Sequence, residues 1–329
     1  MRAMVLKQQK QPLVLENVPV PVIRDDEILV KVKACGVCRT DLHIKDGDLT
    51  HPKLPLILGH EIVGIVEETG KKVTTFKKGD RVGIPWLGKT DNSCEFCKSK
   101  RENLCDHAEF TGYQINGGYA EYMAASAGYA FHLPLGISDL HMAPLMCAGL
   151  VGYRAYRHAG PAKKIGFYGF GSAAHILTQI ALHQGKEIYA FTRDGDSQKQ
   201  QFARRLGAVW AGGSSEMAPE PLDAAIIFAS AGNLVPLALK ALKKGGILIC
   251  GGIHMSNIPS FPYSLLWEER SIQSIANMTR EDGREFIDII SKIPIETDIT
   301  IYPLEKADAA LEDMRAGKFE GSAVLDISK

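Results

Sequence analysis

The first part of the chain shows the apolar–polar alternation of half-buried β-strands. Apolar residues at positions 28, 30, 32 and 34 alternate with lysines at 31 and 33, and a two-residue period is typical of a strand with one buried face. Similar short strands are predicted at residues 62–66 and at Arg81–Ile84, and glycine-containing turns separate them. Many short strands punctuated by glycine predict a small β-barrel or sandwich.

From about residue 148 the pattern changes to strands that alternate with helices. Short links between the two kinds of element predict parallel βαβ units. The predicted strands are residues 165–168, 187–191, 223–228 and 247–250, and the predicted helices are one through 176–181 that ends before Gly185 and one at 236–243. Two further amphipathic helices, at 286–290 and 307–314, and a closing strand at 321–327 complete the prediction.

A glycine turn lies between the first strand and the first helix of this second part. Residues 169–174, Gly-Phe-Gly-Ser-Ala-Ala, fit the pattern G-x-G-x-x-A in the strand–turn–helix context of a dinucleotide site. Gly169 allows the tight turn, Gly171 lets the backbone approach a pyrophosphate, and Ala174 lets helix and strand pack closely. The helix N-terminus then offers N–H groups to the phosphates. A glycine-rich turn without a ligand is the alternative.

The residues after the second strand of this part bear on the choice of cofactor. An NAD-preferring site places a carboxylate there to bind the ribose hydroxyls, whereas this chain has Thr192 and Arg193. A guanidinium pairs with a 2′-phosphate, which a carboxylate would repel. We therefore predict that NADP is preferred over NAD. In the alternative, Arg193 only stacks on adenine and NAD is used.

Length, charge and cysteine count narrow the class of protein. A chain of 329 residues suggests two domains. Lys+Arg and Asp+Glu are 38 each, so no excess positive charge favours nucleic acid as a partner. We expect no membrane segment, because no apolar run reaches roughly 18 residues, and no signal peptide, because charge interrupts the first residues. The seven cysteines fit a cytoplasmic protein whose cysteines are thiols or metal ligands.

Three cysteines lie close together in the sequence. The spacing Cys94-x2-Cys97-x7-Cys105 is dense enough for a tetrahedral metal site with soft ligands. Asp91 lies three residues before Cys94, and its carboxylate can complete a zinc tetrahedron. The alternative is a loop that has lost its metal together with a fourth thiolate.

Other candidate ligands are dispersed along the chain. They are Cys38, His60 and Cys147. Taken singly, each cysteine also fits a buried core residue, as Cys35 and Cys250 do. Spacing alone leaves open whether the three residues form one site.

In combination, these motifs resemble one family. Residues 36–43, 59–64, 91–105, 144–149 and 169–174 occur in the same order as in the zinc-dependent alcohol dehydrogenases of the medium-chain dehydrogenase/reductase superfamily. The resemblance implies an α/β protein with a GroES-like β-rich catalytic domain, formed by residues 1–147 and 277–329. A Rossmann domain with a doubly wound parallel sheet is implied at residues 148–276.

The resemblance also implies roles for site residues. Cys38, His60 and Cys147 match the catalytic zinc ligands, with Glu61 behind the metal and able to replace a ligand transiently. Asp41 matches the carboxylate that orients His60. Thr40 and His43 match a relay that takes the proton of the substrate alcohol through the cofactor ribose to water.

The remaining implied roles concern the cofactor, the substrate and the second metal. The implied cofactor-binding residues are Arg39, Gly169, Gly171, Ser172, Ala173, Ala174, Thr192 and Arg193. Trp86 and Leu87 match a bulky wall of the substrate pocket that favours primary alcohols and aldehydes, although core packing explains them as well. Cys94, Cys97, Cys105 and Asp91 match the structural zinc site, with Asp91 where most relatives have cysteine.

The implied activity is reversible hydride transfer between NAD(P)(H) and a primary alcohol or aldehyde on an active-site zinc. The family pattern also implies a homodimer or homotetramer assembled through the Rossmann domain. Two other functions stay open at this point. One is a polyol or amino-acid-alcohol dehydrogenase of the same superfamily, and the other is a non-catalytic NADP-binding relative.

Overall fold

The computed structural model describes residues 1–328 and divides the chain into two compact units. The first unit comprises Met1–Cys147, Met278–Ser291 and the described part of Glu296–Lys329. The second unit comprises Ala148–Asn277 and Lys292–Ile295. No helix among residues 1–328 is long and apolar enough to cross a membrane.

The strands of the described residues follow the chain in order. They are β1 (Arg2–Leu6), β2 (Val14–Asn17), β3 (Glu27–Val37), β4 (Leu56–Ile57), β5 (Glu61–Thr69), β6 (Arg81–Ile84), β7 (Leu87–Lys89), β8 (Glu109–Phe110), β9 (Tyr122–Ser126), β10 (Phe131–His132), β11 (Lys164–Tyr168), β12 (Glu187–Thr192), β13 (Trp210–Gly213), β14 (Leu222–Ile227), β15 (Leu242–Cys250), β16 (Ser271–Ser274), β17 (Ile299–Pro303) and β18 (Ser322–Asp326).

The α-helices lie between these strands. They are α1 (Arg39–Asp46), α2 (Glu95–Lys98), α3 (Asp139–Met142), α4 (Ala148–His158), α5 (Ser172–His183), α6 (Ser197–Arg205), α7 (Leu234–Ala241), α8 (Arg280–Ile290) and α9 (Ala307–Ala316). Both amphipathic helices expected near the chain end are present as α8 and α9.

The first unit is built around the long strand β3. Its main sheet has the order β10-β6-β5-β3-β18-β17, and β9 also pairs with β3. Register shifts at Leu29/Val30 and Val32/Ala34 interrupt the pairing of β3 with β5, and such bulges bend a strand so that it can follow a curved sheet. The strand predicted at 28–34 continues to Val37. Its end therefore leads directly into Cys38.

The second unit contains one parallel sheet. Its strand order is β13-β12-β11-β14-β15-β16, the 3-2-1-4-5-6 order of doubly wound dinucleotide folds. The central strands are continuous apolar runs because both sheet faces are covered; in β12, residues 188–192 are all buried. The predicted combination of a β-rich domain and a doubly wound parallel sheet is confirmed.

One predicted boundary is wrong. The helix predicted at 236–243 begins earlier and ends at Ala241, and Leu242 and Lys243 belong to strand β15. Leu242 is buried and pairs with Leu222 of the neighbouring strand. Sheet pairing outweighs the helical spacing of the apolar residues in this segment, because local propensity is only a weak preference.

Candidate active site and metal-ligand clusters

The junction between β3 and α1 presents the first candidate ligand. Cys38 is the N-cap residue of α1, and its backbone N–H donates to Oδ2 of Asp41 at 2.9 Å. A carboxylate three residues into a helix commonly caps the helix in this way. The local sequence therefore fixes the backbone of Cys38 and places Asp41 in the interior, where it is fully buried.

His60 is held by the same carboxylate. Its Nδ1 lies 3.2 Å from Oδ1 of Asp41, and the backbone N–H of Gly59 donates to that oxygen at 3.2 Å. A hydrogen bond at Nδ1 directs the other ring nitrogen toward a metal in many metal sites. Nε2 of His60 is buried without a hydrogen-bond partner among the described residues. A buried polar nitrogen of this kind fits a metal ligand.

The predicted catalytic ligands come together in the first unit. Ligand atoms of Cys38, His60, Glu61 and Cys147 all lie within 4.8 Å of one another. The sulfurs of Cys38 and Cys147 are 4.0 Å apart, close to the roughly 3.8 Å expected for two thiolates bound tetrahedrally to zinc with Zn–S of about 2.3 Å. A Cβ at Gly36 would lie 1.8 Å from Oε2 of Glu61, so the carboxylate needs a glycine there. The residues present fit a zinc ion.

The electrostatics of this cluster suit thiolate ligands. The hydrogen bond from the Cys147 thiol lowers the pKa of Cys38 against the effect of burial, and the nearby His60 lowers it further. The same contact raises the pKa of Cys147. Burial raises the pKa of Glu61, and the negative charge on Cys38 adds to this effect. One thiolate is therefore favoured before a cation binds, and a cation is needed to stabilise the second.

The predicted proton relay lies on α1. Thr40 Oγ1 is 3.7 Å from Sγ of Cys38, and His43 lies one helical turn later on the same side of the helix. Nδ1 of His43 contacts Oδ2 of Asp48 at 2.8 Å. Sequence reasoning missed Asp48. The left-handed Gly47 that ends α1, with φ of +89°, was the available signal, because such a residue turns the chain back on the helix.

The aromatic residue predicted for the substrate wall lies beside the ligand His60. Trp86 is buried, and its ring meets that of His60 edge-on with centroids 4.9 Å apart. It also stacks on the ring of Phe110, with centroids 5.0 Å apart. Leu87 begins β7 and is fully buried. Arg39 is exposed at the first position of α1.

The second cysteine cluster forms within one loop. Ligand atoms of Asp91, Cys94, Cys97 and Cys105 lie within 4.8 Å of one another. Oδ1 of Asp91 accepts the backbone N–H groups of Ser93 at 2.8 Å and of Cys94 at 3.0 Å, and these bonds lower the pKa of Asp91. Burial raises the pKa of the Cys97 thiol to about 12. One carboxylate and three sulfurs fit a zinc tetrahedron.

The glycine turn of the second unit has the expected context. It joins β11 to α5, and Gly169 has φ of +91° with its Cα packed against Ala229. A Cβ at Gly171 would meet no described atom within 4 Å, so the backbone there is open to a ligand. Gly171 caps α5, whose first residues Ser172, Ala173 and Ala174 include the fully buried Ala174.

The end of β12 carries the predicted cofactor-selecting residues. Thr192 is buried, and its hydroxyl accepts a hydrogen bond from Gln200 Nε2 at 3.2 Å. Arg193 is exposed. Asp194 follows, but its Oδ1 accepts the backbone N–H of Ser215 at 3.1 Å. The strand end thus carries a neutral buried hydroxyl and an exposed guanidinium.

Comparison with known proteins identifies a family. Residues 24–135 match the family model of the alcohol dehydrogenase GroES-like domain. The chain is 46% identical over 322 residues to "Probable alcohol dehydrogenase AdhA" of Mycobacterium tuberculosis, covering 95% of this chain and 92% of that protein. It is 35% identical over 343 residues to an alcohol dehydrogenase of Geobacillus stearothermophilus, covering 99% and 100%.

A solved structure shares the fold. It is a cinnamyl alcohol dehydrogenase from Sorghum bicolor, with a TM-score of 0.91 at 23% identity, covering 99% of this chain and 97% of that one. Fold and ligand clusters together define a medium-chain dehydrogenase/reductase with a GroES-like domain and a Rossmann domain. Within that superfamily, the chain belongs to the alcohol dehydrogenases, which are NAD(P)-dependent oxidoreductases.

Proposed function

We propose that Cys38, His60 and Cys147 hold the catalytic zinc of this alcohol dehydrogenase and that its substrates are primary alcohols and aldehydes. The observation that carries the proposal is the buried Nε2 of His60, unpartnered among the described residues and grouped with two sulfurs that are 4.0 Å apart. Glu61 is a fourth donor in the same cluster. A three-residue ligand set leaves one coordination position for substrate.

The chain's own residues then move the proton. Bound zinc supplies a Lewis acid for the substrate oxygen, and the nicotinamide supplies or accepts the hydride. Thr40 would accept the hydroxyl proton of the alcohol, and His43, one helical turn later on α1, would pass it on to water. The contact with Asp48 at Nδ1 orients the His43 ring. Imidazole suits this step because one ring nitrogen can accept a proton while the other gives one up.

The substrate wall is part of the same proposal. Trp86 contacts the rings of both His60 and Phe110, so it cannot move aside without breaking both contacts. Together with Leu87, it would form an apolar wall beside the metal ligand. Such a surface favours unbranched carbinol carbons, and it discriminates by only about 1–3 kcal/mol per methylene.

We also propose that NADP is the preferred cofactor, bound by the unit that contains β11–β16. Gly169, Gly171, Ser172, Ala173 and Ala174 would approach the pyrophosphate. Support for NADP comes from the neutral hydroxyl and the exposed guanidinium at the end of β12.

Thr192→Asp tests the cofactor preference. The new carboxylate repels a 2′-phosphate, so the ratio of kcat/KM for NADPH to that for NADH should fall at least about tenfold, or about 1.4 kcal/mol. Arg193→Ala should lower the same ratio, and Lys240→Ala, which removes an exposed cation on α7 of the same unit, should leave it unchanged. A wild-type enzyme that prefers NADH would contradict the proposal.

We further propose that Asp91, Cys94, Cys97 and Cys105 hold a structural zinc.

We propose as well that the chain forms a homodimer, or a homotetramer of such dimers, through its parallel sheet. Support for the assembly comes from β16, an edge strand whose four residues are all exposed, next to the exposed Trp267. Unprotected edge strands readily pair with a second copy. The cytoplasmic location predicted from the sequence belongs to the same proposal.

The test of the proposed function is zinc-dependent turnover. Benzyl alcohol oxidation is followed at 340 nm with NADP and with NAD, before and after removal of zinc by a chelator. Cys38→Ala should lose one zinc per chain and nearly all turnover. Cys35→Ala is the matched control, because Cys35 is a fully buried thiol three residues away that lies outside the cluster. Turnover that survives complete zinc removal would refute the proposal.

A further inference from the structure

A Gly-Gly-Tyr motif at residues 117–119 runs alongside the segment that leads into His60. Three of its backbone N–H groups donate to carbonyls of that segment at 2.7–3.0 Å; the acceptors are Ile57, Leu58 and Gly59. The two segments are far apart in sequence. Tertiary contact therefore fixes the backbone immediately before the proposed zinc ligand.

The two glycines of the motif make this approach possible. A Cβ at Gly117 would lie 2.0 Å from the carbonyl oxygen of Gly59, and a Cβ at Gly118 would lie 2.4 Å from Cγ1 of Ile62. No side chain fits at either distance. Glycine at both positions is what brings the following tyrosine against the residues around His60.

Tyr119 contacts both supports of His60. Its fully buried ring packs against the backbone of Gly59, where a Cβ would lie 2.4 Å from its Cδ1. Its hydroxyl donates to Oδ2 of Asp41 at 3.0 Å. The other oxygen of Asp41 contacts Nδ1 of His60 at 3.2 Å. Oδ2 accepts one further hydrogen bond, from the backbone N–H of Cys38.

We propose that Tyr119 is a positioning residue for the catalytic zinc: its hydroxyl fixes Asp41, which directs Nε2 of His60 toward the metal. This inference rests on the proposed zinc site. A buried carboxylate has no water to orient it, so its donors set its position. Without the hydroxyl, Oδ2 keeps only the N–H of Cys38 and Oδ1 keeps the N–H of Gly59, so the carboxylate has one donor fewer to hold it toward His60.

The size of the effect follows from the number of contacts between the residue and the metal. Removing a group that hydrogen-bonds directly to a metal ligand lowers metal affinity or activity about 10–100-fold. Tyr119 acts one contact further out, through Asp41. We therefore expect zinc loss to be faster by about tenfold, the lower end of that range.

The experiment compares Tyr119→Phe with Tyr302→Phe in the full-length, zinc-loaded enzyme. Tyr119→Phe keeps the ring on Gly59 and removes only the hydroxyl. Tyr302→Phe is the control, because the Tyr302 hydroxyl also donates to an aspartate, Oδ2 of Asp313, at 3.0 Å in the same unit. Neither Tyr302 nor Asp313 belongs to a metal-ligand cluster. Zinc release into a chelator is followed with a colorimetric zinc probe, together with loss of turnover, Tm with and without zinc, and cofactor Kd.

The expected result is specific to the catalytic zinc. In Tyr119→Phe, one zinc is lost in parallel with turnover, and its release should be about tenfold faster than in wild type. Zinc binding should raise the Tm of this variant less than that of wild type. Its cofactor Kd should be unchanged. Tyr302→Phe should match wild type in zinc release. Equal release rates in Tyr119→Phe and wild type would overturn the proposal. A Tyr119→Phe chain that fails to fold would also overturn it, because the hydroxyl would then serve the fold and not the zinc. Wild-type turnover without zinc would instead refute the proposed function.

Discussion

The two metal-ligand clusters differ in how the chain brings their donors together. The first takes Cys38, His60 and Cys147 from three separate segments, whereas the second takes all four donors from the loop that contains Asp91 and Cys105. Donors from distant segments can meet only when the sheet of the first unit has formed. Donors in one loop need little more than local turns, such as the one that Asp91 caps.

This difference implies different consequences of losing a metal. In the first cluster, hydrogen bonds from outside the ligand set already orient His60, so the fold prepares the site before metal binds. In the second, the hydrogen bonds to the donors come from within or beside the loop, from the N–H groups of Ser93 and Cys94 to Asp91 and between Cys97 and Thr90. Burial raises the pKa of the Cys97 thiol, and a cation that binds such a thiol displaces its proton. We infer that the first metal serves catalysis and the second serves the local fold of the loop.

The largest expected effect is on kcat and comes from removing a thiolate of the first cluster. The same change in the second cluster provides the comparison. Cys147→Ser should lower kcat by more than about a hundredfold, because loss of a ligand must exceed the upper effect of losing its hydrogen-bond partner. Cys105→Ser should lower Tm and leave kcat within a few-fold of wild type. Both variants are assayed for turnover, zinc content and Tm at saturating cofactor. A Cys105→Ser enzyme as inactive as Cys147→Ser would remove the distinction between the clusters.

A smaller effect is expected from the carboxylate of the second cluster. Asp91→Asn keeps an oxygen that can accept the N–H groups of Ser93 and Cys94 but removes the charge. If Asp91 ligates zinc, this variant should lose one zinc per chain to a chelator at least about tenfold faster than wild type, the lower end of the range for groups around a metal. Asp91→Cys should retain that zinc longer, because a fourth thiolate binds zinc more strongly.

The contrast between Asp91→Asn and Asp91→Ala separates two roles of this residue. Asp91→Ala removes both the ligand and the turn acceptor. Asp91→Asn could retain zinc as well as wild type while Asp91→Ala loses it. That result would mean that Asp91 caps the turn and that three thiolates hold the metal.

Both clusters contain residues that were predictable from the sequence, for different reasons. Cys94, Cys97 and Cys105 are visible through spacing alone, because a short loop brings near neighbours in sequence close in space. Cys38, His60 and Cys147 are suggested as a set only by resemblance to a family, since no periodicity links residues so far apart. The two-residue period of the strands and the glycine turn at Gly169 also involve only near neighbours in sequence. They therefore predicted the β-rich domain and the parallel sheet without knowledge of the fold.

What the sequence did not reveal depends on tertiary contact. Asp48 reaches His43 only because Gly47 turns the chain back after α1. Tyr119 reaches Asp41 only because two glycines let distant backbones approach. The end of α7 at Ala241 depends on pairing of the next residue with the neighbouring strand. Each of these requires knowledge of which segments are neighbours, which local pattern does not contain.

The smallest expected effect concerns how the loop of the second cluster is anchored. Glu102, buried next to Cys105, accepts the backbone N–H of Arg280 at 2.9 Å and its Nε at 3.1 Å. Burial opposes ionisation of Glu102, but the hydrogen bonds from Arg280 outweigh it, so that its pKa is lowered from the ordinary 4.5. The loop is thus attached to α8 independently of any metal.

Glu102→Gln should therefore destabilise the protein by about 1 kcal/mol at neutral pH, the typical net value of one hydrogen bond. Because the folded pKa is lowered, this contribution is complete above the unfolded pKa of about 4.5 and is lost as pH falls through the lower folded pKa. The stability difference between wild type and Glu102→Gln, measured by urea unfolding of zinc-stripped protein, should shrink as pH drops below about 4.5.

Glu305→Gln provides the matched comparison, because Glu305 pairs with Arg2 at 2.7 Å on the surface of the same unit. Exposed pairs contribute about 0–1 kcal/mol, so this variant should differ little from wild type at any pH. A Glu102→Gln difference that stays constant with pH would mean that the charge of Glu102 does not anchor the loop. The loop would then be held at α8 by hydrogen bonds from Arg280 whose contribution does not depend on that charge.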